Sequence, residues 1–156
     1  MLLIVAAGNT ATDLNATPSY PASYSTECDN MIVVASTDYN DKLSNFSNYG
    51  SLVVHLGAPG EWILSTIPNQ NTAYYSGTSM AAPFVAGAAA LTLVASGGSM
   101  TTADVKNTLI STAEPLSSLN GKVASGGIVR VDRAVQQGLQ AAGRSGSPPA
   151  VAPASR

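Results

Sequence analysis

Two short stretches place polar side chains where acyl-transfer chemistry could use them. In "YYSGTSMAAPFVAG", residues 74–87, Ser79 follows Gly77-Thr78 and heads an alanine-rich run. A serine at the mouth of a helix can attack a carbonyl while unpaired amides and the positive dipole end hold the developing oxyanion. Gly77, just before it, lets a substrate backbone approach closely. In "VAAGN", residues 5–9, a strand runs into small residues and then Asn9, whose side-chain amide can donate to the same oxyanion from the side. A serine hydroxyl also needs a base to take its proton. His55, in "LVVHLGAPG", is the one histidine. It reads as an imidazole satisfied by backbone partners at a strand edge rather than as that base.

The elements that must position these groups are legible in outline. Met1–Val5, Met31–Ala35 and Leu52–Leu56 are short runs of Val, Ile and Leu bounded by turn residues. Such continuous apolar runs suit strands covered on both faces, as in a parallel sheet. Residues 46–50, "FSNYG", are turn material, and "GAPGEWIL" is a Gly-Pro turn leading into a short extended piece. Met80–Ser96 is apolar around its whole circumference, predicting a buried helix ended by Gly97-Gly98. Pro83 leaves two options open: the helix begins near it, or it tolerates a distortion there. A second helix follows Thr101, which forms a capping box with Asp104; Val105, Leu109 and Thr112 share a stripe. Ile128–Val131 predicts a strand feeding a last helix capped by Asp132. The fold class is α/β with a mostly parallel sheet. Residues 1–140 form the folded portion, and 141–156 a disordered tail or linker rich in Pro, Ala and Ser.

The totals exclude some functions. The formal net charge is -2, which offers nucleic acid no electrostatic footprint. Charged residues are 10% of the chain, against an average of about 25%. That fits either a secreted protein with a Ser, Thr, Asn and Gly surface or a chain that is partly interior and lacks its covering. The opening "MLLIVAAGNT" is too short to span a membrane and lacks a basic leader, so neither a membrane partner nor a signal peptide is expected. Cys28 stands alone and has no basic neighbour to activate it. Asn15-Ala16-Thr17 and Asn45-Phe46-Ser47 fit the short glycosylation pattern.

Together, the segments "GTSMAAPFVAG" and "AAGN" resemble the subtilisin-like serine proteases, the subtilases. "SYPASY", "VVASTDYNDKLSNFSNYG", "LGAPGEWILST" and "GGIVRVDRA" follow as that family's landmarks in order, from about Leu2 to Leu139. The resemblance implies a subtilisin-like three-layer sandwich, here its C-terminal portion, and proteolysis of peptide bonds through an acyl-enzyme on Ser79. It implies Asn9 as oxyanion donor beside the Ser79 amide. Ala6, Ala7 and Gly8 would line the pocket for the substrate side chain before the scissile bond, with Gly77 and Thr78 also on the substrate. The family's Asp and His precede the "AAGN" segment, so the partners implied are a peptide or protein substrate and the missing N-terminal half of the catalytic domain. No cofactor or metal is expected on this chain, calcium being left to the full-length family domain; secretion is implied by the family alone. Phe84 stands where the family has a histidine, and His55 where it often has an acidic residue. Two functions follow: a serine endopeptidase present as a fragment that is inactive alone, or an inactive truncated relative serving as a binding or non-functional module.

Overall fold

The computed structural model describes residues 1–143. In chain order the elements are β1 (Leu3–Ala6), a 3-10 turn (Ala22–Thr26), β2 (Met31–Thr37), β3 (Leu56–Pro59), β4 (Ile63–Ile67), β5 (Asn71–Tyr75), α1 (Thr78–Ala95), α2 (Thr102–Ser111), β6 (Glu114–Pro115), β7 (Gly127–Ile128) and α3 (Val131–Ala141). The main sheet has the order β1-β2-β3-β7-β6, parallel except for β6. The second sheet is the β4–β5 hairpin. The architecture is α/β, as the apolar runs predict.

β2 is buried along its whole length. Its alternate residues feed two cores. Met31, Val33 and Ala35 face Leu14, Val53, Val54 and Leu119, whereas Ile32 and Val34 face Ala81, Val85, Ala88 and Leu109. Full burial of each such side chain contributes roughly 1.5–3 kcal/mol, so this strand anchors both layers. α1 lies across the second face, against β1, β2, β3 and α3. Its buried stripe is Ala81, Val85, Ala88 and Thr92, at helical spacing.

Three expectations are corrected. Leu52–Leu56 is not a strand: the chain turns at Gly50, whose carbonyl accepts the Val53 and Val54 N–H groups, and β3 begins only at Leu56. Val53 and Val54 are apolar because they plug a core, not because they pair in a ladder. α1 is not buried all round: Leu91 is 54% and Val94 75% exposed, so its apolar circumference has an uncovered side. Asp132 does not cap α3. The cap position is Arg130, and Asp132 lies in the first turn, gripped by the Arg130 guanidinium at 2.9 and 2.7 Å. That grip holds its carboxyl below the ordinary value.

The Pro83 question is resolved as a proline inside the helix, which begins at Thr78. The ring removes the N–H that the Ser79 carbonyl would accept. The Thr101–Asp104 capping box is present in both directions, at 3.2 and 2.8 Å. Among the described helices, Thr78–Ala95 is long and apolar enough to cross a membrane by length and composition, yet here it packs on the sheet. α3 extends through Ala141, one residue into the expected tail; residues 144–156 of that tail lie outside the described residues.

His55 shows how the entrance to β3 is finished. Its Nδ1 accepts the Val33 N–H at 3.0 Å, while the His55 backbone N–H donates to the Val33 carbonyl at 2.9 Å. The imidazole thus stands in for a ladder carbonyl. Burial, with a smaller push from the Lys106 charge, lowers its pKa from 6.5 to about 4. The folded state therefore resists protonation that the unfolded chain accepts. Stability is complete above pH 6.5 and falls as pH drops from 6.5 towards 4, by up to about 3 kcal/mol in all. His55→Asn, which can accept the same N–H without titrating, is expected to flatten that part of the urea-denaturation pH profile.

Candidate active site

The site lies at the carboxyl ends of β1 and β3, where ligands of parallel sheets usually bind. Past β1 the chain turns through Gly8 into Asn9. Past β3 it reaches Gly60, whose N–H donates to Thr37 and whose carbonyl accepts the Gly77 N–H at 2.8 Å. α1 starts immediately after Gly77. A Cβ on Gly60 would overlap Ser36 Oγ and press on the Gly77 carbonyl. Gly60→Ala is therefore expected to destabilise the fold by about 1–3 kcal/mol, read as a lower urea midpoint at unchanged slope.

α1 has no cap from its own N-terminal residue. The cap comes from across the chain: Asn9 Oδ1 accepts the Thr78 N–H at 2.9 Å and the Thr78 hydroxyl at 3.0 Å. Thr78 Oγ1 in turn accepts the Gly8 N–H at 3.0 Å. An obligate N–H donor on Oδ1 fixes which way the Asn9 amide faces. Its Nδ2 is left as a donor near Gly77, and a Cβ on that glycine would lie 3.3 Å from it. Among the described residues, neither Asn9 Nδ2 nor the Ser79 N–H has a hydrogen-bond acceptor. Two free donors stand at the positive end of an 18-residue helix, an arrangement suited to an anion.

Ser79 is exposed at that helix end. Beside it runs a groove of about 340 Å³ lined by Ile63, Leu64, Ser65, Met80, Pro83 and Phe84. None of these side chains can act as a general base. His55 is at the other end of the sheet: from it to Gly60 the chain runs extended for roughly 16 Å. Its Nδ1 is already occupied by Val33.

The sequence-predicted residues are thus largely brought together: Gly8, Asn9, Gly77, Thr78 and Ser79 meet in one corner. Ala6 ends β1 and is partly exposed. Ala7 differs, being 1% exposed and packed into the core, so it offers the loop's shape rather than a lining side chain. Phe84 shares the groove with Ser79. The sequence reading missed the β4–β5 hairpin as a wall of this groove. Its signal was "PNQN" between two β-rich runs, with Asn69 and Gln70 both at positive φ. Among the described residues, no group of three or more His, Cys, Asp or Glu side chains could hold a metal ion.

Comparison with known proteins adds the family. Thermitase of Thermoactinomyces vulgaris is 45% identical over 135 residues, covering 86% of this chain and 44% of that protein. The extracellular basic protease of Dichelobacter nodosus is 38% identical over 147 residues, covering 86% and 23% respectively. The solved structure of the prenylagaramide maturation protease superposes with a TM-score of 0.72 at 30% identity, covering 89% of this chain and 50% of that one. The chain therefore spans half or less of the length of these relatives. Residues 1–143 match the subtilase family, Peptidase S8, across both the Asn9 and Ser79 segments, and the chain belongs to that family.

Proposed function

We propose that this chain is the nucleophile-bearing part of a serine endopeptidase, in which Ser79 forms the acyl-enzyme. In this reading the Ser79 N–H and Asn9 Nδ2 receive the oxyanion. The observation that supports it best is the locked Asn9 amide, with its oxygen spent on Thr78 and its nitrogen free beside the nucleophile. A peptide substrate would lay its acyl side along Ala6–Gly8, close to Gly77 and Thr78. Secretion belongs to the same proposal and is supported by extracellular proteases among the relatives.

The general base comes from a companion segment that carries the family's Asp and His. Two surfaces support such a companion. Among the described residues, β1 is an edge strand, hydrogen-bonded to β2 on one side only. An apolar cleft of about 360 Å³ between Met1, Leu2, Ala89, Leu93 and Val105 lies open beside it. A second reading, an inactive relative, has Phe84 in its favour.

A fluorophosphonate probe separates these readings. The isolated 156-residue chain should leave Ser79 unlabelled, and the chain joined to the segment encoded upstream of it should label at Ser79. Strong labelling of the isolated chain would overturn the need for a companion. Absence of labelling in both forms would overturn the protease reading in favour of the inactive relative.

A further inference from the structure

The segment "FSNYG", residues 46–50, reads from sequence as turn material, but its Asn48 makes an unusual set of contacts. Asn48 is 1% exposed. Its Oδ1 accepts the N–H groups of Thr10 and Thr12, each at 3.0 Å, and the Thr10 hydroxyl at 2.9 Å. Its Nδ2 donates to the Ala7 carbonyl at 2.9 Å, and its backbone N–H to the Gly8 carbonyl at 2.9 Å. Two backbone N–H donors on Oδ1 fix the amide's orientation. One buried side chain therefore holds the loop on both sides of Asn9, across 36 to 41 residues of sequence.

The holder is itself fixed. Ser47 Oγ accepts the Ser36 N–H at 3.0 Å, and Ser36 and Ser44 share a hydroxyl contact at 2.8 Å. These bonds pin the turn to the end of β2, the fully buried strand. Gly8 completes the fit. It has φ +104°, and a Cβ there would run into Asn48 Nδ2. The loop can approach Asn48 this closely only through a glycine.

We propose that Asn48 is a positioning residue for acyl transfer. It sets the height of the Gly8–Asn9 turn so that Asn9 Nδ2 stands level with the Ser79 N–H. Thr78 fixes which way the Asn9 amide faces, and Asn48 fixes where the amide is. This rests on the reading of Asn9 and Ser79 as the oxyanion donors. Donors act on a transition state only at hydrogen-bond range, so a shift of about 1 Å is enough to lose on the order of 10²-fold in rate.

The test has two arms. In the chain joined to its upstream segment, Asn48→Ala should lower kcat about 10- to 100-fold with KM changed less than about twofold. In an Asn9→Ala background the same change should cost less than about threefold, because the donor it positions is already gone. Multiplying losses, or a KM rise at constant kcat, would overturn the proposal. In the second arm, amide exchange by NMR is followed in the 156-residue chain. Asn48→Ala should speed exchange at Thr10 and Thr12 and leave Val33 and Val34 unchanged. Retained protection at Thr10 and Thr12 would overturn it too. If Asn48→Ala unfolds throughout, Asn48→Ser, which keeps one acceptor, is read by the same criteria. An inactive wild type in the first arm would remove the protease reading, while exchange would still decide whether Asn48 holds the loop.

Discussion

Ser79→Ala, made in the chain joined to the proposed companion segment, is expected to lower kcat for peptide hydrolysis by about 10⁶-fold, a magnitude established on subtilisin itself. The side chain is small and exposed and has no hydrogen-bond partner among the described residues. Its removal should therefore leave the fold and the urea midpoint within about 0.5 kcal/mol of the parent. Substrate should still bind, because the donors and the groove remain. The measurement is kcat and KM on a peptide substrate, with an inhibitor-binding titration to show that the site persists. Residual activity above about 10⁻³ of the parent would remove Ser79 from the role of nucleophile.

Asn9 carries the second large effect, and its two amide atoms can be tested apart. Asn9→Ala deletes both the donor Nδ2 and the cap on α1. Loss of one oxyanion donor is expected to lower kcat about 10²–10³-fold, again a magnitude known from subtilisin rather than derived from this chain. Loss of the cap adds about 0.5–2 kcal/mol of destabilisation. Asn9→Asp separates the two. Its carboxylate can still accept from Thr78 at a helix N-terminus, where negative charge is favoured. It cannot donate, and it repels an oxyanion. Stability near the parent's, with turnover at least as low as in Asn9→Ala, is the expected pair of results. Parental turnover in Asn9→Asp would mean that Nδ2 does not face the reaction.

What could be read without coordinates was the chemistry carried by local sequence. "GTSMA" and "AAGN" are short, and each reports its own turn into or out of an element. The unbroken burial of β2 and the Thr101–Asp104 box were legible for the same reason. The failures have one physical source, which is that a residue type does not say which partner it serves. Val53 and Val54 are as apolar as a strand requires, but they fill a core beside a turn. Asp132 is a good capping residue, but Arg130 occupies it. The uncovered side of α1 cannot be read from composition, because an apolar circumference looks the same with or without a neighbour. Asn48 was hidden most completely. Its partners lie 36 to 41 residues away, and nothing in "FSNYG" distinguishes a brace from a turn.

The bond from Asn9 to Thr78 spans 69 residues. It is at once the cap of α1 and the clamp that orients the Asn9 amide. If α1 swings away from β1, the capped helix end and the oriented Asn9 amide are lost in a single event. Under the proposed function, with the companion segment in place, this would bear on autolysis. In that setting only fully docked molecules joined to the companion segment would cut, and undocked ones would be the easiest to be cut. Attacker and victim are then different populations, and the rate of self-digestion follows the product of the two. That product is small both when nearly every molecule is folded and when nearly none is, and it peaks midway through unfolding.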